Sequence, residues 1–169
     1  MKRINKRRRR EGKTDYAKRI NLLKGGSTRI VFRKTNRYLT AQYVKSKQAK
    51  DAAEFGTSSK MLLQYGWPEK ASGGLKSVTA SYLLGILVGK KIIDKKKLPI
   101  IDFGMIRTVH KSRAYAFIKG LVDSGMAIKH KEGIFPDENR IRGEHLKNKI
   151  PFEEIKLKIT NKDDRKEKK

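Results

Sequence analysis

Arg7, Arg8, Arg9 and Arg10 stand side by side, with Lys6 before them and Lys13 and Arg19 after. A guanidinium is a planar fork of donors that matches a phosphate, and each phosphate it neutralises releases counterions. Thr14 and Tyr16 are interleaved, a hydroxyl and a ring suited to sugar and base. A solvated tail or a sorting signal is the alternative for such a tetrad. Basic residues continue to Lys24 against only Glu11 and Asp15, which favours RNA. A second cluster, Arg33, Lys34, Asn36 and Arg37, either solubilises a turn or extends the same positive surface. A third, Arg107, His110, Lys111 and Arg113, surrounds the start of a helix expected near Ser112. Free amides and the positive dipole end at such a start can hold a phosphate, and ordinary solubility fits equally.

Other chemistry fails on counting. Gly85-Ile86-Leu87-Val88-Gly89-Lys90-Lys91 superficially resembles a phosphate-binding loop, but has three residues between its glycines, where four are needed, and a second Lys where Ser or Thr belongs. The glycines are expected to let a helix lie close to the sheet. His110, His130 and His145 lack metal-ligand spacing, and there is no cysteine to assist them. A two-metal nuclease needs several converging carboxylates, whereas the expected strands 29–34, 38–45 and 98–103 together hold only Asp102. An enzyme, a metal, a cofactor and a small-molecule substrate are therefore not expected.

Among 169 residues, 43 are Lys or Arg and 17 are Asp or Glu, a net charge of +26. That charge gathers polyanions. A membrane partner is not expected, since the longest apolar stretch, 82–88, is short and broken by Gly85. The basic first residues have no apolar run behind them to make a signal peptide. Lack of cysteine fits a reducing cytoplasm. Nucleic acid leads, and the hydrophobic fraction of 37% implies that part of the chain is a solvated tail or folds against a partner.

The elements that must position these groups follow from periodicity. Residues 1–24 read as a basic arm, 25–131 as a globular domain, 132–160 as a C-terminal extension and 161–169 as a disordered charged tail. Segments 29–34 and 38–45 read as strands joined by a turn at 35–37, and 52–57 as a third short strand. A short helix at 59–65 ends at Gly66-Trp67-Pro68, and 72–74 is a loop. Segment 75–92 is apolar nearly all round, hence a buried helix, and 98–103 reads as a central strand covered on both faces. Ser112 is a good N-cap for a helix with Ala114, Phe117, Ile118, Leu121 and Val122 on one face, ended by Gly125. A last strand is expected at 126–131 and a polar helix at 137–147. Together these predict an α/β fold, a mixed sheet with an antiparallel hairpin and a parallel strand, packed with helices and flanked by basic N- and C-terminal extensions.

Several segments also carry a resemblance, in order along the chain. They begin with Arg8-Arg9-Arg10-Glu11-Gly12-Lys13-Thr14-Asp15-Tyr16, Arg33-Lys34-Thr35-Asn36-Arg37 with Ala41-Gln42, and Tyr65-Gly66-Trp67. Ala80-Ser81-Tyr82-Leu83-Leu84-Gly85 with Gly89-Lys90-Lys91, Asp102-Phe103-Gly104, Ser112-Arg113, Lys119-Gly120 and Asp123-Ser124-Gly125 follow. The last is Ile134-Phe135-Pro136-Asp137-Glu138-Asn139-Arg140-Ile141-Arg142-Gly143-Glu144-His145. This pattern, over residues 7–146, resembles large-subunit ribosomal protein eighteen in its archaeal form and the eukaryotic 5S-binding relative. The resemblance implies a mixed-sheet α/β fold, a place in the central protuberance, direct binding to 5S ribosomal RNA, and contact with 23S RNA and neighbouring ribosomal proteins. By analogy, Arg8, Arg9, Arg10, Lys13, Thr14 and Tyr16 would lie along 5S RNA, with Arg33 and Asn36 extending that surface. The chain departs from the pattern at Ser77, where Asn is usual, at Leu84 for Thr and at Lys111 for Gly. For 136–145, binding to neighbouring RNA or protein and a purely structural helix both remain open.

Overall fold

The computed structural model describes residues 4–47, 50–92, 98–146 and 148–164. Strands β1 (Arg29–Lys34), β2 (Leu39–Lys47) and β3 (Lys50–Ser58) form an antiparallel meander. β4 (Ile100–Asp102) runs parallel to β1, with Arg29 opposite Ile100. The expected mixed sheet is present, in the order β3-β2-β1-β4. The expected turn closes on Thr35, whose amide and hydroxyl both donate to the Tyr38 carbonyl at 2.8 Å.

Helices cover one another as well as the sheet. The 3₁₀ turns Ser59–Tyr65 and Glu69–Gly74 lead into α3 (Val78–Lys91), preceded in the chain by α1 (Arg7–Arg10) and α2 (Tyr16–Lys24). α4 (Arg113–Asp123), α5 (Glu138–Arg142) and α6 (Phe152–Asp164) complete the chain order. Every residue from 79 to 89 is buried, as the all-round apolar pattern requires. α3 lies between two cores. One joins Leu84 and Val88 to Ile30 and Phe32 of β1 and Phe117 and Leu121 of α4; the other joins Leu83 and Leu87 to Leu62, Trp67, Ile155 and Ile159.

Several expectations need correction. The segment 98–103 is not a central strand: the meander occupies β1 on one side, so β4 takes the remaining edge with Ile100 and Ile101 half-buried. No strand forms at 126–131 among the described residues. Met126 is buried and Ile128 packs on the same core, so alternate apolar positions anchor a loop there. The helix expected at 75–92 starts at Val78, because the Ser77 hydroxyl accepts from the Ala80 amide at 3.2 Å. Residues 72–74 belong to a 3₁₀ turn, and the expected helix at 137–147 shrinks to α5, ended by Gly143 in the left-handed region, with Lys147 outside the described residues.

Helix occupies parts of both chain ends. Phe152, Ile155 and Ile159 recur at helical spacing and press α6 into the core beside α3, so helix continues to Asp164. Residues 165–169 of the expected tail, and 1–3 of the arm, lie outside the described residues. The arginine tetrad, for which mutual repulsion predicts no free helix, makes one helical turn with no buried residue. Glu11 offsets part of that repulsion, 3.7 Å from Arg7 and 2.8 Å from Lys13. Asp15 then caps α2 by accepting from the Lys18 amide at 3.2 Å.

The glycines of α3 serve a different neighbour from the one expected. A Cβ on Gly85 would collide with the Phe117 carbonyl, and one on Gly120 would collide with that of Tyr82 and sit 3.0 Å from the Gly85 Cα. They bring α3 against α4 rather than against the sheet. Across the same contact the Tyr82 hydroxyl donates to Asp123 at 2.6 Å. Gly120→Ala is therefore expected to destabilise the fold by about 2–3 kcal/mol, because both obstacles are main-chain atoms that cannot swing away. Urea unfolding measures it, and a change below about 0.5 kcal/mol would mean that the helices separate freely.

Candidate nucleic-acid interface

α2 and the end of β4 bring the arginine turn to the sheet. Lys18 Nζ donates to the Gly104 carbonyl at 3.4 Å. A cleft of about 110 Å³ between them is lined by Arg8, Lys13, Thr14, Lys18, Arg19 and Arg33, with Asp15 and Asp102 also on its wall. A wider groove of about 550 Å³ adjoins it, sharing Lys13 and Arg33, and continues to Lys34, Arg107 and Arg113. The three basic clusters of the sequence thus meet on one continuous surface.

Within that surface the cations divide by what holds them. Lys6 Nζ lies 4.9 Å from the centre of the Tyr16 ring, and Arg8 Nε donates to the Thr14 hydroxyl at 3.0 Å. Arg9, Arg10, Lys34, Arg37 and Arg107 make no side-chain hydrogen bond or ion pair with the described residues. Asn36 offers its carbonyl to Lys76 Nζ at 3.0 Å, and Arg113 donates to the Lys76 carbonyl at 3.2 Å, so Lys76 ties the hairpin turn to the start of α4. Ser112 occupies the N-cap position of α4, yet its hydroxyl makes no capping bond.

Arg19 and Arg33 are bound by carboxylates. Arg19 and Arg29 each lie 2.8 Å from Asp51, which joins α2 to the sheet. Arg33 lies 2.9 Å from Asp102 and also donates to the Asp102 main-chain carbonyl at 2.7 Å. Asp102 further accepts from the Gly104 amide at 2.7 Å and lies 3.7 Å from Arg29, which is only 2% exposed. Burial raises the pKa of Asp102, but Arg33, the Gly104 amide and the charge of Arg29 outweigh it and hold the carboxyl below its ordinary value. Asp51 is likewise lowered: the bonds from Ser46 and Arg19 and the charge of Arg29 overcome its desolvation. Sequence reasoning offered no way to separate these two arginines from the rest, because their partners are 32 and 69 residues away.

Lys111 carries φ of +56°, left-handed backbone that disfavours a side chain, at the position where the resembling pattern has Gly. Its amide donates to the Ile134 carbonyl at 2.9 Å, and its ammonium pairs with Asp137 at 3.0 Å. Lys111→Gly is expected to stabilise the fold by about 0.5–1 kcal/mol, since relieved strain exceeds the loss of an exposed ion pair. Thermal unfolding checks it, and a lower Tm would contradict the strain argument.

Sequence reasoning did not include Lys18, Lys76, Met105 or Val109 in this surface. Lys18 lay within the basic arm and was legible as charge, while nothing in the pattern marked the other three. Among the described residues no group of three or more His, Asp or Glu is placed to hold a metal ion, and no helix is long and apolar enough to cross a membrane.

A family model described as ribosomal large subunit proteins 60S L5, and 50S L18 matches residues 2–100. The large ribosomal subunit protein uL18 of Korarchaeum cryptofilum is 44% identical over 144 residues, covering 83% of this chain and 70% of its own. Its counterparts in Caldivirga maquilingensis and Methanothermobacter thermautotrophicus are 40% and 38% identical, each again over 83% of this chain and over 67% and 71% of their own.

Proposed function

The chain belongs to the family of ribosomal large subunit proteins 60S L5 and 50S L18, and from that premise we propose that it binds 5S ribosomal RNA and helps attach it to 23S RNA in the central protuberance. Membership makes it a structural component of the large ribosomal subunit rather than an enzyme, with ribosomal RNA and ribosomal proteins as partners. The observation that carries the finer reading is the sharing of Lys13 and Arg33 by two adjoining clefts, which joins the arginine turn to the hairpin and to the start of α4. Lys6, Arg7, Arg8, Arg9, Arg10, Lys13, Thr14 and Tyr16 supply one end of this interface. Lys34, Asn36, Arg37, Arg107, Lys111 and Arg113 supply the other. Arg19 and Arg33 shape its middle through their carboxylate partners. Duplex RNA displays phosphates and 2′-hydroxyls more readily than base edges, so the body reads the shape of one folded RNA.

Competition between 5S RNA and an unrelated transcript of equal length tests this directly. A preference of at least about tenfold for 5S RNA at physiological salt is expected. Equal affinity for both, and for duplex DNA, would instead describe a non-specific architectural protein. An interaction with an acidic protein that survives RNase would favour a protein-docking module.

A further inference from the structure

The wider groove is not simply a basic surface. Met105 and Val109 stand on it 55% and 51% exposed, beside the partly buried Ile106 and above Phe103. Lys34, Arg107 and Arg113 stand around them, and among the described residues no carboxylate lines the groove. The larger cleft beside β3 differs, since it mixes Lys45, Lys47 and Lys50 with Asp51 and Glu54. Met105 and Val109 line the same groove as these cations, and a phosphate backbone alone gains nothing from their apolar atoms.

We infer that this groove receives a single unstacked nucleotide of the bound RNA, its base against Met105 and Val109 and its flanking phosphates on Lys34, Arg107 and Arg113. The inference rests on the RNA-binding reading above and adds which part of the RNA enters here. A volume of about 550 Å³ lies within the range of pockets that enclose a small organic ligand, whereas a duplex is too wide to enter and keeps its base faces stacked inside. A splayed base offers an apolar π-face to Val109 and a polarisable surface to the Met105 thioether. The cations then meet the two phosphates that a looped-out nucleotide necessarily carries beside it. Lys34 and Arg107 are unpaired among the described residues, so no internal ion pair must break for this.

The groove separates two kinds of contact that experiment can tell apart. In the full chain, M105S/V109S is expected to weaken binding to 5S RNA about tenfold with an unchanged salt slope, because stacking releases no counterions. K34A/R107A is expected to lower the slope by about one to two units. Dimethyl sulfate probing of the complex should show one unpaired base protected by the unaltered protein and exposed with M105S/V109S. Undiminished affinity of M105S/V109S, or a loss accompanied by a lower slope, overturns the inference, as does normal RNA binding with failure to enter reconstituted subunits, which would make the groove a protein-docking site. Both serines replace exposed side chains, and an unchanged thermal melt verifies the fold. Absence of any 5S preference in the unaltered protein would defeat the RNA reading itself, a result distinct from these.

Discussion

Raising the salt from 50 to 200 mM is expected to lower the affinity of this chain for 5S RNA by about 10³-fold, for about six phosphate contacts. Lys6, Arg8, Arg9, Arg10, Lys34, Arg37, Arg107 and Arg113 have no carboxylate partner among the described residues and, on the proposed function, would supply those contacts. Replacing Arg8, Arg9 and Arg10 together with Ala should weaken binding on the order of 10²-fold at low salt and lower the salt slope by about two to three units. The fold should be unchanged, because α1 buries no residue. Replacing Arg33 should do the reverse, costing stability through Asp102 while moving the slope little. A flat salt response, or a triple variant that binds 5S RNA normally, removes the arginine turn from the interface.

Asp102→Asn is expected to destabilise the fold by about 3 kcal/mol, measured by urea unfolding at neutral pH. The loss falls chiefly on Arg29, which is 2% exposed and whose Nε already has no partner among the described residues. Removing one of its two carboxylates leaves the buried Arg29 guanidinium balanced by Asp51 alone, at 2.8 Å, and Arg33 loses its partner at 2.9 Å. The unaltered protein should show the same dependence in acid. Asp51 and Asp102 are both held below the ordinary aspartate value, so the unfolded chain binds more protons than the folded one as either titrates. Their stabilisation is therefore complete above about pH 4 and is lost as pH falls through the lowered values. Unfolding free energy that stays level between pH 5 and pH 3 would show that the network contributes nothing.

The two carboxylates also tie together the elements that carry the exposed cations. Asp51 and Asp102 join α2, β1, β3 and β4 through Arg19, Arg29 and Arg33. The freely exposed cations are thus mounted on a frame that itself uses cations, and the two sets are alike in composition. Positive charge in excess of what the frame consumes is what remains for RNA.

Residue types and spacing alone determined the partner class, the hairpin, the buried helix α3 and the amphipathic α4, because each rests on local periodicity or on charge in bulk. The family pattern was legible for the same reason, as ordered short motifs. Tertiary structure decided what depends on distant partners. It placed β4 at an edge because the meander had already filled β1 on its other side. It turned Gly85 and Gly120 toward each other. It drew α6 into the core through Phe152, Ile155 and Ile159, whose helical spacing was present in a segment dominated by charge. Most consequentially, it divided the arginines into those held by carboxylates and those left facing outward, since a side chain's partners are set by three-dimensional proximity and not by its neighbours in the chain.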